Sequence, residues 1–194
     1  NIPVSSQPPL GDVMDAYASC KGSPIINISM ADGLSGTYQT ACMARESADN
    51  REDITVINTR TLCGPHRYMV QRAAAMAKEG RKKDEIVQML EEKIRQTKSY
   101  LIPQDFEFLR RGGRLSPAVA FVGSLLDLKP ILTLNEAGSS LDKFGVGRTM
   151  KRAAKAVFRQ MKKDQVGKDD ILYIVHGAAP KAAIGMVKLK PAKK

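Results

Sequence analysis

The chain contains no tryptophan, and aromatic residues make up only 5% of it. It therefore lacks the aromatic platform on which single-stranded nucleic acid stacks. Aliphatic side chains must fill its core, and a pocket lined by them suits an alkyl chain better than a base. Cysteine is equally sparse. Cys20, Cys42 and Cys63 lie far apart with no CxxC pairing, and His66 and His176 complete no metal spacing. Neither a metal nor a cofactor is expected, and free thiols fit a reducing, cytoplasmic compartment. No apolar run approaches the roughly 18–20 residues of a membrane-spanning helix. No secretory signal is visible either. Acidic residues are the other shortfall: 20 Asp and Glu stand against 31 Lys and Arg, for a formal net charge of +11.

What is present is a chain of 194 residues, 43% hydrophobic, enough for one large domain or two small ones. Its basic excess favours nucleic acid, anionic membrane or acidic ligands as partners. The charge gathers at residues 81–83, 110–114, 151–163 and 188–194. The first of these clusters opens a helix and reads as a solvated face.

Strand and helix alternate along the first half. After a proline-bearing loop over 1–9, helical spacing covers 10–20 and stops at Lys21-Gly22. The run 24–30, with Ile25, Ile26 and Ile28, suits a buried parallel strand. A helix over 35–49 follows, then a strand over 54–57, a loop over 58–65 and a helix over 66–78 closed by Gly80. Asp84 is positioned to cap a helix over 85–97, with Ile86, Met89, Leu90 and Ile94 on one face. This order argues for an α/β fold with a parallel, doubly wound sheet.

The pattern then changes. A short strand over 99–102 precedes a helix over 104–110, and Arg111-Gly112-Gly113-Arg114 breaks the chain. Two domains are expected, 1–111 and 112–194. The second reads as a helix over 116–126, strands over 128–134 and 141–146 joined at Gly138, and a basic helix over 149–163. A buried strand over 171–175 and a helix over 180–187 complete it.

Three segments carry possible chemistry. In Leu34-Ser35-Gly36-Thr37-Tyr38, Gly36 admits a close backbone approach and Ser35 can cap the next helix. Helix N-terminal amides there favour an anion. The Gly-Lys-Ser/Thr ending of a phosphate loop and the GxSxG of a nucleophile elbow are both absent. In Ser5-Ser6-Gln7-Pro8, hydroxyls and an amide sit beside a rigid turn. In Arg111-Gly112-Gly113-Arg114-Leu115-Ser116, guanidinium groups flank a tight backbone path and would converge on one carboxylate or phosphate. Taken alone, an ordinary cap, turn or hinge explains each as well. A triad of Ser35, His176 and Asp127 has no support in its spacing.

These segments are followed by Lys129-Pro130-Ile131-Leu132, Gly138 and Arg148. In order and spacing the set resembles the DegV family, across nearly the whole chain. The resemblance implies a two-domain architecture, with a parallel sheet in the first domain and a smaller α/β second domain. It implies a long-chain fatty acid at the domain interface. Its carboxylate would be held by Ser5, where the family usually has Thr, and by Ser35, supported by Gly36 and Thr37. Arg114 would lie near the carboxylate and matter for its phosphorylation. Bacterial family members present the fatty acid to a separate fatty-acid kinase, so the chain itself would be a carrier and not an enzyme. The family's opening strand with its Asp-Ser pair is missing, which implies an N-terminally truncated first domain. Its C-terminal Gly-Pro-Gly segment is missing too, which implies an incomplete second domain. A later Asp-Ser pair reads Asn58-Thr59.

A carboxylate needs donors and not a nucleophile, and a buried tail gains about 0.8 kcal/mol per CH₂. Phe106, Leu109, Phe121, Val122, Leu125 and Ile131, together with Leu101, are candidates for the tail wall, though ordinary core accounts for any one of them. The basic helix over 149–163 is a candidate surface for an acidic kinase face or, transiently, anionic lipid headgroups. The competing readings are a nucleic-acid-binding protein, from charge alone, and a serine hydrolase using Ser35. The missing aromatic platform and the lack of any recognisable binding motif speak against a nucleic-acid partner.

Overall fold

A computed structural model of the chain describes residues 5–116 and 128–177. The expected helix over 180–187, all but the first residue of that over 116–126, and Phe121, Val122, Leu125 and Asp127 lie outside the described residues. The chain divides into two compact units. One runs up to Lys98 and takes in Leu134–Ser140; the other holds Ser99–Thr133 and the residues from Leu141 onward. The break expected at 111–112 falls inside the second unit.

In the first unit, β1 (Ile25–Ser29) and β2 (Ile54–Asn58) pair in parallel, with Ile25 opposite Ile54 and Ser29 opposite Asn58. Their apolar runs alternate between two faces, and helices cover both. On one face α1 (Leu10–Ser19) and α2 (Thr37–Glu46) enclose Tyr17, Ala44 and Ile54, with Val13, Ile25 and Val56 against them. On the other, α3 (Cys63–Lys78) and α4 (Lys83–Gln96) bury Ile57, Met69, Ala73, Ile86 and Leu90 against Ile26 and Ile28. Near-continuous Ile and Val in both strands is what a sheet buried on two sides requires. Gly80 ends α3 with a left-handed φ of 76°, as its sequence position predicts.

The cap of α4 differs from expectation. The helix starts at Lys83, so Asp84 lies in its first turn. The Glu85 carboxylate accepts the Lys82 amide at 2.9 Å and takes the capping role.

The second unit is built on β3 (Tyr100–Leu101), β4 (Lys129–Leu134) and β5 (Leu141–Gly147), in sheet order β3-β4-β5 with β3 antiparallel to β4. Tyr100 and Phe144 meet edge to face, ring centroids 4.9 Å apart. The short α5 (Phe106–Arg111) is capped by Asp105, which accepts the Phe108 amide. The basic helix α6 (Met150–Lys163) is capped by the Thr149 hydroxyl and buries Ala153 and Ala154. Lys151, Arg152, Lys155, Arg159, Lys162 and Lys163 remain exposed on it.

The buried strand expected over 171–175 is not found. Those residues have no regular structure, and Ile171 and Val175 are 58% and 62% exposed. Apolar composition marks a strand only where a neighbouring edge pairs with it, and none of the described strands does so. His176 is consequently exposed and does not follow a strand. Among the described residues no helix is long and apolar enough to cross a membrane.

Candidate functional site

The carboxyl ends of adjacent parallel strands are where open α/β sheets place ligands. Beyond β1 the chain makes a 3-10 turn at Asp32–Leu34, passes through Ser35 and Gly36, and enters α2. Ser35 is extended, at φ −157° and ψ 140°, and Gly36 is the residue that precedes the helix. Ser35 therefore does not cap α2 in the ordinary way. Its Oγ accepts the Thr37 amide at 3.3 Å and lies 2.7 Å from Thr37 Oγ1. Serine hydroxyls reach two residues onward readily, and here that local turn replaces the cap. The first intrahelical bond runs from the Thr40 amide to Gly36 O at 2.9 Å. Amides of the first turn thus face the same end as the hydroxyl pair, where the helix dipole favours an anion. Gln39 ties this helix back to the turn, donating to Asp32 Oδ2 at 3.1 Å.

The first motif meets the second. The Gln7 amide lies 3.0 Å from where a Gly36 side chain would begin, so Gly36 gives the space in which Gln7 rests. Ser5, two residues earlier, is exposed. Ser35, Gly36 and Thr37 are all half-buried.

Beyond β2 the chain is locked to the end of β1. The Thr59 amide and hydroxyl both donate to Ser29 O at 2.9 Å, and Ala31 donates to Thr61 O at 2.8 Å. Thr59 and Thr61 are buried with these bonds in place. Asn58 Oδ1 accepts the Arg60 amide at 3.0 Å and supports its left-handed φ of 50°. His66, in the first turn of α3, has its pKa held below the ordinary 6.5 by burial, partly offset by the Ile28 backbone. The helix dipole expected from sequence acts in the same direction.

The arginines of the third motif are arranged otherwise than expected. Arg111 turns to Glu107 at 3.0 Å, joined there by Arg110 from just before the motif at 2.7 Å, and the two hold its carboxyl down to about 2. Arg114 is exposed, and its Nη1 donates to Gly112 O. The neighbouring backbone pairs with β5: Leu141 N donates to Arg114 O, and Ser116 N to Leu141 O. Of the tail candidates, Ile131 is fully buried, Phe106 and Leu109 are half-buried, and Leu101 is 40% exposed. Sequence reasoning missed Gly33, Arg60 and Thr61, which secure the Ser35 turn. The usable signal was their place immediately after the two parallel strands.

Residues 1–192 match the family described as uncharacterised proteins of the DegV family. The chain belongs to the DegV family. A DegV domain-containing protein of Clostridium perfringens is 33% identical over 160 residues, 80% of this chain and 55% of that protein. Among solved DegV structures, a fatty acid binding protein of Streptococcus agalactiae superposes with a TM-score of 0.85 at 27% identity. It covers 97% of this chain and 67% of its own. The DegV of Bacillus subtilis, described as a fatty acid binding protein, gives 0.71 at 33% identity, covering 84% of this chain and 58% of its own. The chain thus spans a little over half the length of the curated DegV relatives it matches.

Proposed function

We propose that the chain carries a long-chain fatty acid and presents its carboxylate to a separate fatty-acid kinase, acting as carrier and not as catalyst. The observation that carries this is the Ser35–Thr37 hydroxyl pair, 2.7 Å apart at the N-terminus of α2. Such a cradle supplies neutral donors and a favourable dipole to a carboxylate without a metal. Gly36, with no side chain, admits Gln7 beside the hydroxyl pair, and Ser5 belongs to the segment that Gln7 brings to Gly36. The solved relatives described as fatty acid binding support the same ligand class. For a hydrolase, Ser35 would need a base within hydrogen-bond reach; its hydroxyl is instead bonded to Thr37.

The acyl tail is assigned in this reading to the apolar residues Phe106, Leu109 and Ile131, with Phe121, Val122 and Leu125. Arg114, with an exposed side chain, is assigned to phosphorylation of the carboxylate and not to its binding. The basic face of α6 offers cations to an acidic kinase surface and, transiently, to anionic headgroups. The expected setting is the bacterial cytoplasm.

The test is native mass spectrometry of the purified chain, followed by extraction of bound lipid and by titration with added fatty acid. A stoichiometric long-chain fatty acid is expected. A chain that is empty and takes up none refutes the carrier function.

A further inference from the structure

The loop joining β4 to β5 packs within the first unit, against the turn that carries Ser35. Asn135 builds it. Its Oδ1 accepts the Ser139 amide at 2.8 Å, and its Nδ2 donates to the Ser139 and Ser140 hydroxyls at 2.8 and 3.1 Å. Gly138 sits at the tip with φ 70°, a left-handed value that favours glycine.

Two bonds fix this tip to the ends of β1 and β2. Gly138 O accepts the Gly33 amide at 3.0 Å, and Glu136 O accepts from Arg60 Nη1 at 3.3 Å. The contact leaves no room on either side. A side chain at Gly33 would begin 1.7 Å from Ser139 O, inside the space the loop backbone occupies. One at Gly138 would begin 2.8 Å from Arg60 Cα and Cβ. The 3-10 turn Asp32–Leu34 is therefore gripped from two directions: by Thr61 through Ala31, and by Gly138 through Gly33. The residue that follows that turn is Ser35.

We infer that the β4–β5 loop is a positioning clamp for the carboxylate site, holding Ser35 in register through the Gly138–Gly33 bond. This rests on the proposed carboxylate site. A hydroxyl aimed at a carboxylate must be held within about 0.5 Å of its productive position, and a free 3-10 turn does not hold that tolerance. Gly33 and Gly138, neither in contact with ligand in this scheme, thereby govern affinity. Releasing the loop from the turn weakens fatty-acid binding while the strands and helices stay folded.

The test compares oleate affinity and amide hydrogen exchange in the whole chain and three variants. Gly138→Ala drives the tip off Arg60. Asn135→Ala loosens the loop without a clash and carries the test should Gly138→Ala not fold. Gly80→Ala bears similar left-handed strain at φ 76°, but nothing lies within 4 Å of its new side chain. Both loop variants are expected to bind oleate roughly tenfold more weakly. Exchange should quicken at Gly33 and at Thr37, whose amide reports the Ser35 hydroxyl. Gly80→Ala should match the wild type in both. An equal loss in Gly80→Ala overturns the inference, because general strain then explains it. So does wild-type affinity in loop variants whose Gly33 exchange is fast. A wild-type chain that takes up no oleate refutes the carrier reading instead. Exchange at Thr37 then decides the clamp, and unchanged protection there in the loop variants overturns it.

Discussion

Ser35 is the residue on which the proposed site depends most. Its Oγ accepts the Thr37 amide, and with the Thr37 hydroxyl donating within the pair the Ser35 hydrogen is left for a carboxylate oxygen. Ser35→Ala removes that donor and leaves a bound carboxylate short of one bond. We expect fatty-acid affinity to fall by about 1–3 kcal/mol, as read by isothermal titration. An affinity equal to wild type would place the head group elsewhere. His66, one turn into α3, makes a pH prediction. Its folded pKa lies below the ordinary 6.5 because burial disfavours the charged ring. The unfolded chain therefore binds more protons as the pH falls through that range. The stability His66 contributes is fully present above pH 6.5 and is lost as the pH falls toward its folded value. The denaturation midpoint should drop on acidification from about pH 7 to pH 5, and His66→Gln should flatten that drop. Equal slopes in the two proteins would assign the acid sensitivity to other groups.

At the scale of elements, α6 shows how one packed face leaves another free. Ala153 and Ala154 are its buried residues, and Gly147 at the end of β5 admits the helix backbone. A side chain at Gly147 would begin 2.5 Å from Ala153 N and 2.9 Å from its Cα, which is backbone and does not yield cheaply. At Gly145 in the same strand, the nearest atom is Ile131 Cδ1 at 3.9 Å, an ordinary contact. Gly147→Ala should therefore destabilise the chain by about 1–3 kcal/mol, and Gly145→Ala by much less. Urea titration of both variants decides this; equal midpoints would mean α6 does not sit on β5 as closely as described. The same packing directs the basic residues of α6 away from the sheet, so its charge is available to an anionic partner.

At the scale of the whole molecule, the formal net charge of +11 is unevenly spread. In α6 basic residues stand with no acidic ones. In α5, by contrast, Glu107 engages Arg110 and Arg111. The positive charge is therefore least offset along α6, whereas in α5 one carboxylate partly offsets two guanidinium groups. The α/β fold, with its parallel sheet and its separate antiparallel one, matches that of the solved DegV relatives. Carrier function, as proposed, asks the first unit for a carboxylate cradle and needs no catalytic group from either.

The strand–helix alternation, the two parallel strands and the Gly138 turn are legible in the sequence. These follow from local periodicity and from backbone preferences that a residue carries wherever it sits. The sequence also singled out Ser35 and Gly36 as candidates, because the N-terminus of a helix after a parallel strand favours an anion. Whether 171–175 forms a strand depends on the fold, since pairing is a property of the neighbouring edge, and the structure leaves these residues without one. The tertiary structure turned Arg111 to Glu107, one helical turn away, where the sequence pointed it at a ligand. It alone gave Gly33 its role. No unusual φ marks that residue, and its missing side chain matters only because Ser139, more than a hundred residues later, fills the space. Contacts between segments so distant in the chain leave no local pattern, because they are set by where the fold brings the backbone together.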